Sequence, residues 1–485
     1  MKSWPKSSLM HKPSTTDAYL TLLVSLVITT LMSLILALLR GAGIGEAKMK
    51  SESVTEAAME SVLAEYHKDL FDRYDLLMVD LSYGSADGGT DRLSQRLEMY
   101  VTKSLSGSYL SALDGGAGLV GLKLNDILIP EYLLACDGDG SVFRRQILAY
   151  MRAEPVEDFL AETTDNISVL KSNGYDTRDV AAEREANYNE LENLFDDDEE
   201  AKSNLPSEIE EAHSLRLQGV LNMTHPNPGA VSRTNINLNE YVSHRDAARG
   251  EGKIPGENLS LVEIGLIDRY IFEKCGNWSR QTEGSLLKYQ IEYLIGGANS
   301  DYANLETVAT TLLFWREASN FTYILTDSSK NALAEALAVA AALLILEPSA
   351  EVLIKNAILF AWSLAESIAD MRALFNGGKV PLVKTSATWQ TGIFGFGGGS
   401  GCNSGLDYEG YLAMLLYMTD IKKVSLRLMD VMEMDLRRMS GNENFRMDLC
   451  LDQMTAQFRF GSSVGWSAAY TRERGYETKY PAGEF

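Results

Sequence analysis

The first long feature of the chain is a stretch without polar pattern. From Ala18 to Leu39 about 22 residues run without a charge, the length a helix needs to cross the hydrocarbon core of a bilayer. Most are Leu, Val or Ile. Thr21, Ser25, Thr29, Thr30 and Ser33 are tolerable there because a helix lets each hydroxyl donate back to a carbonyl. Asp17 and Arg40 bound the run. A cleaved signal peptide is the rival reading. Its apolar core would be shorter, about 7–15 residues, although Gly41, Ala42 and Gly43 are small enough for a cleavage site.

A different pattern follows. Val54, Ala58, Val62, Tyr66, Leu70 and Tyr74 recur about every four residues, joined by Met59, Leu63 and Leu77, while Glu52, Glu56, Glu60, Lys68 and Asp72 fall mostly on other faces. This predicts an amphipathic helix over 46–78, continuing from the apolar run and docking on a body formed by 79–485.

Within that body, helical spacing recurs over Asp91–Ser106 with a stop at Gly107, and over Arg144–Leu170, Leu261–Phe272, Asn304–Thr326, Asn331–Leu346, Ala350–Phe375, Tyr408–Met418 and Asp420–Met439. Asp327 is placed to cap the Asn331 helix, and Pro348 ends it. Leu286–Ile295 fits a strand or a helix. The segment 176–257 reads as an acidic, partly flexible insertion, helical to about Gln218 and then a long surface loop broken by Pro226, Pro228 and Pro255. The Gly-rich stretch 391–405 reads as a loop. Near the end the period changes to two, over Met454–Phe460 and Trp466–Tyr476, with Gly461–Gly465 as the turn of a hairpin. The fold class is α+β, mainly helical, with a small antiparallel sheet near the C-terminus. The two apolar helices from Asn331 and Ala350 resemble a membrane hairpin, but Glu335 interrupts the first and Lys355 and Glu366 the second, so they are expected as a buried soluble hairpin.

Charge sets the orientation and narrows the partners. The net charge is −23, which disfavours sequence-independent binding to nucleic acid. Lys2, Lys6 and Lys12 with the free amine outweigh the far flank, where Arg40, Lys48 and Lys50 are interleaved with Glu46 and Glu52. The positive-inside rule therefore puts the leader 1–17 in the cytoplasm, the helix 18–39 across the membrane and the body outside. The block Asp196–Glu200, followed by Glu208, Glu210 and Glu211, reads as a solvated face.

Chemistry is sparse. Cys136, Cys275, Cys402 and Cys450 have neither zinc-knuckle nor redox spacing and read as buried or free thiols. Gly461-Ser-Ser-Val-Gly465 matches a nucleophile-elbow pattern at Ser463, but His11, His67, His213, His225 and His244 all lie upstream of it. Cys136-Asp-Gly-Asp-Gly-Ser141 hints at a calcium loop, yet counting from Asp137 the sixth and twelfth positions are Val142 and Leu148, where an EF-hand needs Gly and Glu. The glycines at 395–401 lack the Lys-Ser or Lys-Thr of a phosphate loop. Asn166, Asn222, Asn258, Asn277 and Asn320 begin glycosylation sequons. No catalytic, cofactor-binding or metal-binding residue is assigned, no cofactor is expected, and the chain is not expected to be an enzyme.

Five blocks carry a resemblance: GEAKMKSESVTEAAMESVLAEYHKDLFDRYDLLMVDLSYG after the apolar run, SVFRRQILAYM (141–151), KYQIEYLIGG (288–297), REASNFTYILTD (316–327) and GGKVPLVKTSATWQ (377–390). In these the chain resembles a family of uncharacterised single-pass membrane proteins of Clostridia-type Gram-positive bacteria, associated with tight-adherence (Tad) pilus systems and similar to oversized pseudopilins. The resemblance implies a surface-assembly role, with pilus or pseudopilin subunits and assembly-platform proteins as partners besides the lipid bilayer. The chain departs from the pilin pattern: Ser14-Thr-Thr-Asp17, and no Gly or Ala processing site, precedes the apolar run, and no Glu lies early within it. The expected function is a membrane-anchored, pilin-like accessory or structural protein. The alternatives are an anchored surface binding module for wall polymer or a host ligand and, further off, an extracellular hydrolase.

Overall fold

The computed structural model describes residues 15–106, 122–195, 205–215, 218–393, 395, 401–402, 404–462 and 470–477. The leader to Ser14, the Asp196–Glu200 block, the Gly107 stop, Phe396–Ser400 and Ser463 with the rest of the hairpin turn lie outside them. The chain divides into two compact units, the smaller from 1–65, 89–132 and 453–477, the larger from 66–88 and 133–452 with the last residues.

In the smaller unit the dominant element is α1, Thr15–Leu63, one helix of 49 residues. Its first part is exposed, Leu22 at 66% and Leu31 at 52%. The hydroxyls there donate back along the helix as expected, Ser25 to the Leu22 carbonyl at 2.9 Å and Thr29 to that of Ser25 at 2.8 Å. The amphipathic second part buries Ala47, Ser51, Val54, Thr55, Ala58, Met59, Val62 and Leu63, a stripe at spacings of three and four. It packs against α3 (Thr90–Ser106), which buries Leu93, Leu97 and Val101, and against β4 (Tyr470–Glu477). Arg474 lies 3.5 Å from Glu56 of α1. β4 pairs antiparallel with β3 (Cys450–Ser462), from Gln453↔Glu477 to Phe460↔Tyr470, which confirms the first alternating strand and the second from Tyr470 on; residues 466–469 lie outside the described ones. β2 (Leu122–Leu134) is the strand next to β3 in the order β1-β3-β2. Pro130 lies within β2, where it cannot donate to a ladder.

The helix expected over 46–78 does not run through. It stops at Leu63, and α2 (Lys68–Tyr74) starts afresh. His67 causes the restart: its Nδ1 accepts from the Leu70 N–H at 3.1 Å as a helix N-cap, and its own N–H donates to Met78. The apolar stripe is thereby divided. Val54 and Val62 are covered within the smaller unit, whereas Leu70 and Tyr74 are core residues of the larger one.

The larger unit is helical. β1 (Val79–Asp80) pairs with Leu451 and Cys450 at the start of β3. The helix expected over 144–170 is two, α4 (Asp137–Tyr150) and α5 (Glu157–Ser172), parted by a short 3-10 turn and Pro155. Next come α6 (Val180–Phe195), α7 (Ser207–Leu215), α8 (Val220–Thr224) and α9 (Leu261–Lys274). Ser260 and Glu263 start α9 with a reciprocal capping box. The ambiguous 286–295 segment contains a helix, α10 (Gln290–Gly296). The series ends with α11 (Asp301–Thr326), α12 (Ser328–Leu344), α13 (Glu351–Phe375), α14 (Tyr408–Met418) and α15 (Ile421–Arg437).

Asp327 caps α12 as expected, accepting from Ser329 and Lys330. The centre of the unit is α13, buried almost without a break from Ala357 to Phe375 and packed by α11, α12, α6 and α7. It is long and apolar enough to cross a membrane, yet 78% of its most apolar window is buried, which makes it a core helix. Lys355 of α13 pairs with Glu335 of α12 at 2.9 Å, so two of the charges that interrupt the hairpin also tie it together.

Candidate functional site

The ionisable side chains of the larger unit are largely consumed in holding segments together. On α11 and α13, Arg316, Glu366 and Asp370 have no exposed surface, and Lys384 has 2%. Arg316 donates from Nε and Nη2 to Asp370 Oδ2 at 3.0 and 2.9 Å, and from Nη1 to the carbonyls of Pro381 and Leu382. Lys384 Nζ lies 2.5 Å from Glu366 Oε1 and 2.6 Å from Asp370 Oδ1. Glu366 also accepts from the backbone N–H groups of Gln390 and Thr391. Two cations face two anions, and the remaining valences hold the 380–391 segment against the helices. A buried charge set is tolerable only when paired and hydrogen-bonded in this way.

The second part of the stretch expected as an insertion is held similarly. Ser243 donates to Asp430 of α15, Arg245 pairs with Glu433 and Asp448, Ala248 N–H donates to Asp448 at 2.9 Å and Arg144 pairs with Glu257. Residues 218–257, largely loop beyond the short helix α8, form a strap held by the buried carboxylates of Asp430, Glu433 and Asp448 and by the buried Arg144.

Two carboxyls stand apart. Glu292 on α10 is fully buried. It accepts from Trp278 N–H and Tyr408 O–H, both at 2.8 Å, and leaves Oε2 without a partner. Burial, only partly offset by those bonds, pushes its pKa up to about 7. Asp268 on α9 is buried with Oδ2 unpaired, and burial drives its carboxyl well above the usual range.

A cleft of about 410 Å³ opens in the larger unit. One helical face of α5 supplies Phe159, Glu162, Thr163 and Asn166, at i, i+3, i+4 and i+7. α9 and the turn after it supply Arg269, Phe272 and Arg280; Lys379 comes from the far wall, and α14 supplies Glu409, Gly410 and Ala413. Phe159 and Phe272 meet edge to face at 6.0 Å. Glu409 accepts from Asn277 at 2.8 Å and from Arg280 at 3.4 Å. Gly405 forms the far wall at φ +114°; a Cβ there would lie 2.4 Å from Pro381 N, so only glycine lets this backbone close on Val380.

The motifs noted in the sequence lie elsewhere. The Asp137 loop is a left-handed turn, with φ of 63°, 53° and 82° at Gly138, Asp139 and Gly140. Asp137 Oδ2 accepts from Leu134 N–H at 2.8 Å and from Gly250 N–H at 3.1 Å, while Asp139 faces Lys422 at 3.2 Å. These carboxylates fasten the loop rather than converge on a point. Among the described residues no group of three or more His, Cys, Asp or Glu is placed to hold a metal. All four cysteines are free, Cys136, Cys275 and Cys450 buried, and burial raises each of those three thiols, Cys136 to about 12. Of the sequons, Asn277 and Asn320 are fully buried. Sequence reasoning singled out none of Glu162, Arg269, Lys379 or Glu409 as a group. Their separation along the chain hides the cleft, and the one local signal was the polar face of α5.

A family model described as a family of unknown function, DUF5702, matches residues 197–462. No curated protein and no solved structure matches the chain.

Proposed function

The chain belongs to the DUF5702 family of unknown function, and from that premise we propose that it is a membrane-anchored, pilin-like accessory or structural protein of a surface pilus or secretion apparatus, without chemistry of its own. On this reading it is one of the membrane proteins that accompany tight-adherence pili in Clostridia-type bacteria, with a cytoplasmic leader and an extracytoplasmic body. The observation that supports it is the division of labour along α1. One uninterrupted helix has an exposed apolar half of membrane-crossing length and an amphipathic half packed on α3 and a strand of an antiparallel sheet. An exposed apolar helix of this kind is the feature a pilin offers to neighbouring membrane proteins. The same half also has the position of a signal sequence, although its uncharged run is longer than a signal peptide's apolar core.

A photo-crosslinking residue in place of Leu22 or Leu34 of the full chain in its own cells tests the reading. Adducts with other pilin-like or assembly-platform membrane proteins are expected; adducts with lipid alone would contradict it. Protease added to intact, wall-stripped cells should degrade the body, and full protection would reverse the orientation. The cleft lends weight to a second reading, an anchored surface binding module, in which α1 serves as tether.

A further inference from the structure

We propose that the cleft between α5, α9 and α14 is a binding site for a neutral oligosaccharide. Its volume of about 410 Å³ falls in the range of small-ligand sites, roughly 300–1,000 Å³. Its two kinds of lining match the two faces of a pyranose. Phe159, half-buried on the cleft wall and backed edge to face at 6.0 Å by the buried Phe272, gives an apolar aromatic surface on which the C–H face of a sugar ring packs. Around them stand planar groups with paired donors or acceptors: the carboxylates of Glu162 and Glu409, the guanidinium groups of Arg269 and Arg280, and the carboxamide of Asn166. Glu162 and Arg269 each present two atoms in a fixed fork, the geometry that vicinal hydroxyls satisfy, whereas Glu409 and Arg280 already spend atoms on each other, on Asn277 and on the Phe272 carbonyl, and Asn166 donates to the Glu162 carbonyl.

Availability supports the same conclusion. Glu162, Arg269 and Lys379 are exposed and line the cleft, so their side chains are open to a ligand. Charge favours a neutral ligand over an anionic one. Arg269, Arg280 and Lys379 are offset locally by Glu162, Asp407 and Glu409, and the net charge of −23 repels an anion at longer range. The proposal does not rest on the anchoring reading, because every residue named belongs to the larger unit.

The test is calorimetric titration of the full chain in a sugar-free zwitterionic detergent. The probes are triacetylchitotriose, maltotriose and cellotriose, with sialyllactose and a triglutamate peptide as charged probes. At least one neutral trisaccharide should bind, and Glu162→Gln and Phe159→Ala should each weaken it about tenfold. Glu335→Gln, in the ion pair with Lys355 away from the cleft, should leave it unchanged. Glu162 is exposed, so if Phe159→Ala disturbs folding the Glu162 variant decides alone. Absence of neutral-sugar binding at about 10 mM, binding of charged probes only, or binding indifferent to Glu162→Gln would overturn the proposal.

Discussion

Among the described residues two helices have the length and apolar composition to cross a membrane, and they meet opposite fates. The apolar window of α1 is 0% buried and that of α13 is 78% buried. What separates them is the polar groups they carry. Between Ala18 and Leu39, α1 has no charge, and its hydroxyls are satisfied by its own carbonyls. α13 carries Glu366 and Asp370, both without exposed surface and both answered by cations from outside the helix, Arg316 and Lys384. A helix that is complete in itself suits lipid, which offers no partner. A helix that needs partners must lie in a protein core.

The largest effect should come from removing one member of the α13 cluster. Asp370→Ala leaves Arg316 and Lys384 short of a counter-charge and should cost about 3–5 kcal/mol, read as a fall in the denaturant midpoint of the body. A variant as stable as wild type would break the claim that these charges define α13 as a core helix. On the other side of the comparison, Leu31→Arg places a charge inside the apolar run and should oppose insertion by about 2.5–3.5 kcal/mol. The chain should shift out of the membrane fraction while the body melts as before. Unchanged partitioning would show that the run is not what holds the chain in the bilayer.

A subtler contrast lies in the buried carboxyl that lacks a cation. Glu292, with its pKa raised to about 7 from 4.5, binds its proton more tightly in the folded state. Its contribution to stability is full below about pH 4.5 and is lost as pH rises through about 7. Glu292→Gln should remove that part of the pH dependence; identical profiles for variant and wild type would show that Glu292 is already ionised without cost. The smallest effect is at the start of α12. Asp327→Ala should cost about 1 kcal/mol by removing an N-cap. Bonds from Lys330, despite some opposing burial, hold the Asp327 carboxyl down to about 2. The wild-type advantage should therefore persist above about pH 4 and vanish as pH falls through about 2. An undiminished advantage at the acid end would leave a cap that does not depend on ionisation.

Much of the fold was legible because it is written locally. The uncharged run, the α1 stripe as far as Leu63, the Asp327 cap and the alternation in β3 and β4 are patterns a single segment carries by itself. The errors fall where a distant partner decides. His67 stops α1 by capping a new helix whose start its imidazole and Met78 fix together. The 218–257 stretch reads as a loop and is largely loop, but its anchoring by Asp430, Glu433 and Asp448 is set by residues far along the chain. β2 went unrecognised because it carries Pro130, a residue that argues against a strand, and because most of it is not buried. The cleft was invisible for the same reason as the Arg316–Asp370–Lys384 cluster. Glu162, Arg269, Lys379 and Glu409 carry no shared motif, and only the packing of α5, α9 and α14 brings them to one place.

The contrast between the two helices comes down to where the protein is held. Carbonate extraction of membranes from cells making either the full chain or a chain that starts at Gly41 measures this directly. The account predicts that the full chain stays in the carbonate-resistant pellet and that the shortened chain, with α13 intact, is released as folded protein. A full chain found in the soluble fraction would mean that α1 is a removed signal sequence, and a shortened chain that stays in the pellet would mean that α13 is no core helix.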